Sequence, residues 1–177
     1  MCIRDSFNVC RDDGPATLNQ SADTLVVSSF NPWLGMNGAG YGTYNMSGTA
    51  VFDSSGGDYF FIQTGEWNLS GSAMATVRGM ELGGNVSLSG AATLVVLDGN
   101  SRLLQINSGH YITFASKCNA RLTVAGYGES DFSQLVTDGK IRLNGNAVSG
   151  VDFSKIFKMS GSTLSLIPEG GSVYSVR

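Results

Sequence analysis

The stretches Met46-Ser47-Gly48-Thr49-Ala50-Val51-Phe52, Leu69-Ser70-Gly71-Ser72-Ala73-Met74 and Leu88-Ser89-Gly90-Ala91-Ala92-Thr93-Leu94 repeat one phrase, in which an apolar residue precedes Ser-Gly and a small or apolar run follows. A looser copy is Asn107-Ser108-Gly109. The serines of the four copies stand at positions 47, 70, 89 and 108, so the phrase recurs at nearly regular steps. A period near twenty is typical of architectures in which one structural unit stacks on the next.

The composition favours short strands and tight turns over long helices. The 177 residues include 24 Gly and only 3 Pro, and charged residues make up 14% of the chain. Surface helices draw on Ala, Glu, Lys and Arg, whereas Gly and Asn supply the positive φ angles of tight turns. The length is sufficient for one domain with a sizeable core.

The repeat predicts an all-β chain folded as a single-stranded parallel β-helix. A strand of a few residues cannot bury its apolar face alone, but copies stacked about 4.8 Å apart can align like side chains into one core. We expect the serines before each glycine to recur at one corner. Two inward columns are predicted, and their members are Met46, Leu69 and Leu88 in one, and Val51, Met74, Thr93 and Ile112 in the other.

Two other architectures fit parts of the pattern. A β-sandwich of antiparallel strands also accepts glycine-rich turns at short spacing, and it is the alternative prediction for the fold. A leucine-rich repeat needs a regular series of leucines, and only residues 103–107 resemble one.

Outside the repeats, the pattern predicts further strands and one short helical turn. Alternation and β-branched residues predict strands at residues 24–30, 110–114, 120–124, 140–143 and 162–167. Residues 131–136 predict a helical turn with Ser130 or Asp131 as its cap. Residues 7–23 are polar and weakly patterned, and Met159-Ser160-Gly161 is a late copy of the repeated phrase.

The first six residues are not expected to belong to the natural protein. Met1-Cys2-Ile3-Arg4-Asp5-Ser6 resembles a translated sequencing-adapter remnant, so we do not expect it to be the biological N-terminus. Residues 7–177 are predicted to form a single β-solenoid domain, a fragment of a longer protein, with its clearest repeats at 37–109.

Several classes of partner are disfavoured by the sequence. The net charge is −3 and no cluster of Lys or Arg occurs, which argues against nucleic acid. No run of about 18 apolar residues is present, so no membrane-spanning segment is predicted. Cys2, Cys10, Cys118 and the single histidine, His110, lack metal-ligand spacing, so we expect neither a metal site nor a cofactor. Cys10 and Cys118 are either a disulfide pair or two unrelated thiols.

The repeats resemble a known bacterial family. Gly40-Tyr41-Gly42-Thr43-Tyr44-Asn45-Met46-Ser47-Gly48 and Gly65-Glu66-Trp67-Asn68-Leu69-Ser70-Gly71 are similar to the G-x-G-T-Y-N-x-S-G-G units of autotransporter and PEP-CTERM-associated repeat proteins. The resemblance implies a right-handed β-helix that is secreted or displayed on the cell surface. The second glycine of the unit is replaced here by Thr49, Ser72 and Ala91. The family has no shared catalytic residues to carry over.

We therefore expect a structural or adhesive repeat module without catalysis, whose partner is a polysaccharide or another surface component. A carbohydrate-binding module, or a fragment of a β-helical polysaccharide lyase or hydrolase, is the alternative. Such enzymes converge carboxylates from adjacent rungs on one bond. At the repeat offsets Asp53 aligns with Thr76 and Val95, so no acidic ladder is predicted.

Three aromatic residues are the candidate binding residues. Tyr41, Tyr44 and Trp67 would stack on sugar rings if they share one exposed face, and would otherwise stack on each other between rungs. Asn45, Asn68 and Asn85 lie in glycosylation sequons, which a repeat with Asn shortly before Ser-Gly produces without any glycan. His110 is expected to be a surface or capping residue.

Overall fold

The computed structural model describes residues 2–3, 7–10, 14–28, 31–35, 40–57, 59–97, 104–148, 150 and 152–167. Three short strands recur in each turn of the repeating part. In chain order they are β1 (Cys2–Ile3), β2 (Asn8–Val9), β3 (Ala16–Gln20), β4 (Thr24–Val27), β5 (Trp33–Leu34), β6 (Gly42–Met46), β7 (Val51–Ser54), β8 (Phe60–Ile62), β9 (Gly65–Leu69), β10 (Met74–Val77), β11 (Met80–Leu82), β12 (Asn85–Leu88), β13 (Thr93–Val96), β14 (Leu104–Ile106) and β15 (Ile112–Phe114). The elements that follow are β16 (Arg121–Val124), α1 (Glu129–Thr137), β17 (Ile141–Leu143), β18 (Asn146–Ala147), α2 (Phe153–Ile156), β19 (Phe157–Ser160) and β20 (Thr163–Leu166).

The chain visits three sheets in turn. Sheet A has the strand order β1-β4-β7-β10-β13-β16-β20-β19, sheet B has the order β14-β11-β8-β5-β2, and sheet C has the order β18-β17-β15-β12-β9-β6-β3. Strands β1 to β17 pair with one another in parallel, as in β6 with β9 and β10 with β13. The protein is a parallel β-solenoid, which confirms the predicted all-β fold of stacked parallel strands and excludes the alternative antiparallel sandwich.

The register of sheet C marks where each turn of the solenoid begins and ends. Its successive partners at one position are Gln20, Met46, Leu69, Leu88 and Phe114. The step from Met46 to Leu69 equals that from Ser47 to Ser70, and the step from Leu69 to Leu88 equals that from Ser70 to Ser89, so these two Ser-Gly steps are true turns. The predicted inward column of Met46, Leu69 and Leu88 is confirmed, because all three side chains are buried.

The predicted corner lies between sheets C and A. Ser70 Oγ donates to the carbonyl of Met46 at 3.1 Å, and Ser89 Oγ donates to that of Leu69 at 3.3 Å, so each serine is tied to the previous rung. Gly71 has φ +64, a left-handed conformation that disfavours a side chain. A Cβ there would also lie 2.8 Å from the backbone nitrogen of Gly48 one rung away. Glycine thus provides both the turn and the close stacking.

The fourth copy of the phrase forms a different corner. Ser108 and Gly109 turn the chain between β14 and β15, from sheet B to sheet C. The true counterpart of the Ser89 corner begins at Ala115, whose N–H donates to the Leu88 carbonyl at 2.9 Å. Its left-handed residue is Lys117, with φ +59. The step from Ser89 to Ser108 therefore does not measure a turn.

The second predicted inward column is wrong. Val51, Met74 and Thr93 are aligned in sheet A as expected, but they point outward, and Met74 is 43% exposed. Ile112 is buried, yet it belongs to sheet C, where it pairs with Val86. The inward positions of sheet A are one residue further along each strand, at Phe52, Ala75, Leu94 and Leu122.

The carboxyl-terminal end of the solenoid is covered by irregular additions. Helix α1 buries Phe132 and Val136, and strand β17 then extends sheet C. Strands β19 and β20 form an antiparallel hairpin that pairs with β16 through β20. Gly161, in the late copy of the phrase, has φ +58 and turns this hairpin instead of a solenoid corner.

The predicted helix exists, but its cap differs. Residues 131–136 lie within the longer helix α1, whose N-cap is Gly128 instead of Ser130 or Asp131. The Asp131 carboxylate accepts a hydrogen bond from the Gly128 N–H at 2.8 Å. The other predicted strands correspond to β4, β15, β16, β17 and β20. Residues 7–23, in which no strand was predicted, contain β2 and β3.

The two cysteines whose side chains are described, Cys10 and Cys118, are both free, as the prediction of two unrelated thiols had it. Cys118 is buried and contacts the Leu88 carbonyl through its sulfur at 3.9 Å. Several sequence-based expectations concern residues that lie outside the described part of the chain. These are residues 12–13, 58, 98–100, 103 and 168–169.

Candidate binding face on sheet C

Sheet C presents two outward columns of side chains. Because successive residues of a strand point to opposite faces, the residues between the buried positions must face outward. The first column is called the asparagine column, and its members are Asn19, Asn45, Asn68, Ser87, Thr113 and Arg142. The second, the tyrosine column, comprises Thr17, Thr43, Glu66, Asn85 and Tyr111. Together these residues are the outer face of sheet C.

The three asparagines of this column are hydrogen-bonded to one another along the solenoid axis. Asn45 Nδ2 donates to Asn19 Oδ1 at 2.8 Å, and Asn68 Nδ2 donates to Asn45 Oδ1 at 2.9 Å. This ladder explains why the repeat reuses Asn immediately before the buried Met46 and Leu69. It also gives an architectural reason for the sequons of Asn45 and Asn68, whereas Asn85 lies outside the ladder.

Tyr41 lies beside Glu66 on this face. The residue is 45% exposed, and it precedes β6 by one position. Partial burial raises the pKa of the Tyr41 phenol, and a hydrogen bond to the Glu66 carboxylate raises it further. The phenol therefore remains a neutral hydrogen-bond donor at neutral pH, with part of its ring open to solvent.

Tyr111 and Arg142 form a fixed pair at the other end of the face. The guanidinium carbon of Arg142 lies 4.0 Å from the centroid of the Tyr111 ring, within the range of a cation–π interaction. Arg142 Nε donates to the Gly139 carbonyl at 2.9 Å, and its Nη1 donates to the Gly145 carbonyl at 3.3 Å. These contacts hold the guanidinium in one orientation.

A cleft of about 220 Å³ continues this end of the face. It is lined by residues 107–110 from the turn before β15, and by residues 138–140 and Arg142 from the segment after α1. His110 Nδ1 is buried and has no hydrogen-bond partner among the described residues. The backbone N–H of His110 closes the turn by donating to the Asn107 carbonyl at 3.2 Å. The cleft thus joins two segments that are separated in the chain by β15, β16 and α1.

Two of the three predicted binding residues are wrong. Tyr44 and Trp67 are both 0% exposed, and their rings stack on each other inside the solenoid, which is the other arrangement that the sequence allowed. Each stands two residues before an inward residue, Met46 or Leu69, so strand alternation places it inward as well. Tyr41 alone of the three offers its ring to solvent.

The structure reveals surface aromatics that the sequence analysis missed. Trp33 and Phe61 are partners in sheet B and stack outside the core with ring centroids 4.5 Å apart, and Tyr59 contacts Phe61 edge-on. All three are half-buried. The alternation in Tyr59-Phe60-Phe61-Ile62, with Phe60 and Ile62 buried, is the signal that could have identified them.

The described residues contain no acidic ladder on sheet A. Asp53 pairs with Thr76, and Thr76 pairs with Val95, as the repeat offsets predict. No group of three or more His, Cys, Asp or Glu in the described part of the chain is placed to hold a metal ion.

No protein-family model, curated protein or solved structure significantly matches this chain. Among the described helices, none has the length and apolar character needed to cross a bilayer.

Proposed function

We propose that this protein is a structural and adhesive β-solenoid module of a secreted or surface-displayed bacterial protein. In this proposal it adheres to a polysaccharide through the outer face of sheet C and carries out no catalysis. The main support is the asparagine column, which places one polar side chain on each rung and is hydrogen-bonded through Asn19, Asn45 and Asn68. Tyr41 adds an exposed aromatic ring to the same face.

The chemistry of this face suits a polymer of sugars. A primary amide has two donor hydrogens and an acceptor oxygen with two lone pairs. Asn45 uses one hydrogen and one lone pair within the ladder, so one of each remains for a ligand. Sugar rings carry hydroxyl groups that donate and accept, and the face of a tyrosine ring packs against their apolar C–H groups.

The dimensions and rigidity of the face also favour an extended ligand. Six rungs of sheet C, from β3 to β17, are stacked in register. With about 4.8 Å between neighbouring strands, the face spans about 24 Å. Side chains that are already fixed by hydrogen bonds lose little conformational entropy when a ligand binds. A rigid linear array of this kind matches a linear polymer better than a compact ligand.

A purely structural role is the second candidate function. The ladder bonds between Asn19, Asn45 and Asn68 hold these side chains in place, and such bonds stabilise a solenoid without any ligand. Under this role the outer face of sheet C would have no affinity for a glycan. The two candidates therefore differ in a measurable property.

Retention of the purified chain on a panel of immobilised polysaccharides tests the proposal. We expect Tyr41→Ala to weaken binding about 10-fold, which corresponds to about 1.4 kcal/mol. Met74→Ala is the matched control, because Met74 is 43% exposed on sheet A and Tyr41 is 45% exposed near sheet C. The control should bind as the unmodified chain does.

Each outcome separates the candidates. If the unmodified chain binds no polysaccharide of the panel, the purely structural role replaces the adhesive one. If it releases soluble sugars from a polysaccharide, the chain is a fragment of a lyase or hydrolase and the absence of catalysis is wrong. If Tyr41→Ala and Met74→Ala lose binding equally, the outer face of sheet C is not the surface that binds the polysaccharide.

A further inference from the structure

The cleft beside Tyr111 differs in charge from the rest of the protein. The chain has a net charge of −3 and 11 Lys and Arg residues. Two of these, Lys140 and Arg142, line one cleft together with His110. The acid in this lining is Asp138, whose carboxylate accepts a hydrogen bond from Gln134 Nε2 at 2.8 Å. Two cations against one carboxylate thus leave one net positive charge in the lining of this cleft, where the outer face of sheet C ends.

Arg142 is already arranged to receive an anion. Two of its five N–H donors are used by the Gly139 and Gly145 carbonyls, and its plane is held against Tyr111. Carbonyl groups accept hydrogen bonds but do not neutralise the positive charge. A fixed guanidinium recognises a carboxylate with little loss of side-chain entropy.

His110 supplies a second reason to expect a ligand. Buried polar atoms in proteins nearly always have a hydrogen-bond partner, so an isolated one requires an explanation. The Nδ1 atom of His110 has none among the described residues, and His110 is one of the residues that line the cleft. Because Nδ1 is shielded from solvent, the ring must turn before this nitrogen can accept from, or donate to, a sugar hydroxyl in the cleft.

The cleft has room for a group of limited size. Its volume of about 220 Å³ lies below the range of about 300–1,000 Å³ that is usual for sites of drug-sized ligands. A Cβ placed on Gly109, in the same lining, would meet nothing within 4 Å. The cleft therefore accommodates one charged unit of a polymer whose remainder lies along the outer face of sheet C.

We infer that this cleft binds the carboxylate of a uronic-acid unit, so that the polysaccharide of the proposed function is an acidic one. Lys140 and Arg142 pair with the carboxylate, and His110 contacts a hydroxyl of the same unit. The polymer continues past Tyr111 along the tyrosine column. This inference rests on the proposed polysaccharide adhesion and adds the chemical class of the ligand.

Oligogalacturonan, tested with and without methyl esterification of its carboxyl groups, provides the two probes, because esterification removes the negative charge of each carboxylate and adds only one methyl group. We expect isothermal titration with the full chain to show at least 10-fold tighter binding of the free acid. Lys140→Gln should reduce this ratio several-fold. Lys158→Gln, the same change at an exposed residue of β19, should leave the ratio unchanged. Ser108→Asp, at an exposed residue of the cleft lining, should also reduce it.

The outcomes distinguish this inference from the proposed function. Equal binding of both probes overturns the carboxylate site but leaves adhesion to polysaccharide standing. Binding of neither probe, together with no binding to the polysaccharide panel, overturns both. If dextran sulfate competes as strongly as the free acid, the cleft is a general anion site and the assignment to uronate is wrong. If Lys140→Gln and Lys158→Gln reduce the preference for the free acid equally, that preference does not arise in the cleft.

Discussion

Tyr44 and Trp67 occupy the same position in successive rungs of sheet C, with ring centroids 5.9 Å apart and planes inclined by only 6°. Both side chains are completely buried, and Phe52 and Phe60 pack against Trp67 from the other two sheets. The aromatic residues that stand two positions before Met46 and Leu69 therefore form the centre of the core, where no ligand can reach their rings.

Trp67→Ala should be among the most destabilising substitutions in the chain. Replacing a buried Trp by Ala removes its buried apolar surface and leaves a cavity, which costs about 3–5 kcal/mol. Tyr41→Ala, at a position that is 45% exposed, should change the free energy of unfolding by less than about 1 kcal/mol. Urea unfolding monitored by circular dichroism measures both. A Trp67→Ala protein with unchanged stability would contradict the observed packing.

The stacking of inward side chains on successive rungs could be predicted in part from the sequence, because it depends on local repetition. Met46 and Leu69 recur with the Ser-Gly corner, and strand alternation then determines which neighbours also point inward. The cleft could not be predicted in this way. His110 and Lys140 are separated by β15, β16 and helix α1, and only the stacking of β17 on β15 brings them together. The helical turn at residues 131–136 was predicted, but no repeat of the sequence indicates that the strand after it stacks on β15.

The corner glycines should be sensitive to substitution by alanine. Gly71 has φ +64, and a Cβ there would lie 2.8 Å from the Gly48 backbone nitrogen. The left-handed conformation alone costs about 1–2 kcal/mol for a residue with a side chain, and the contact with backbone adds to this cost. Gly161→Ala is the control, because Gly161 has φ +58 but open space around it.

We expect Gly71→Ala to lower the free energy of unfolding by clearly more than Gly161→Ala does. The difference between the two measures the close stacking of rungs, since the conformational cost is common to both. Equal effects of the two substitutions in chemical denaturation would mean that the corner can relax around a methyl group.

The asparagine ladder should contribute to stability in proportion to the bonds that each residue makes. Asn45 has a ladder bond on both sides, whereas Asn19 has one. With a net value of about 0.5–1.5 kcal/mol for each hydrogen bond, Asn45→Ala should cost roughly twice as much as Asn19→Ala. Thermal and urea unfolding of the two variants provide the comparison. An Asn19→Ala protein less stable than Asn45→Ala would contradict the ladder.

The buried phenol of Tyr44 predicts a loss of stability at alkaline pH. Burial raises the pKa of Tyr44 above its usual value of 10.0. A group whose pKa is higher in the folded state stabilises that state as long as the phenol is protonated in both states. Its contribution is therefore complete below pH 10 and decreases as the pH rises towards the folded pKa.

Absorbance at 295 nm, which reports tyrosinate, tests this prediction. We expect one tyrosine to ionise only together with unfolding, and Tyr44→Phe to remove that step from the titration. The Tyr44 hydroxyl also donates to Gln20, so Tyr44→Phe leaves a half-buried amide oxygen without this donor. For that reason the ionisation step, and not stability alone, is the decisive measurement. Ionisation of all visible tyrosines well below the unfolding pH would contradict the burial of Tyr44.

Replacing Lys117 by glycine should increase stability at the corner between β15 and β16, which the Ser-Gly repeat did not identify. It adopts φ +59 at the corner between β15 and β16, where the preceding rungs have Gly90 and Gly71 with φ +62 and +64. Removing the side chain of Lys117 should relieve about 1–2 kcal/mol of conformational strain. The greater freedom of glycine in the unfolded chain offsets about 0.4–1 kcal/mol of this. Lys117→Gly should therefore stabilise the protein by at most about 1.6 kcal/mol, reduced by the free energy that the interactions of Lys117 contribute. The reciprocal change, Gly90→Lys, should destabilise it, because a Cβ at Gly90 would lie 2.8 Å from the Gly71 carbonyl oxygen. Opposite shifts of the urea midpoint for the two variants would confirm that a left-handed residue with a side chain is unfavourable at both corners, and shifts in the same direction would refute it.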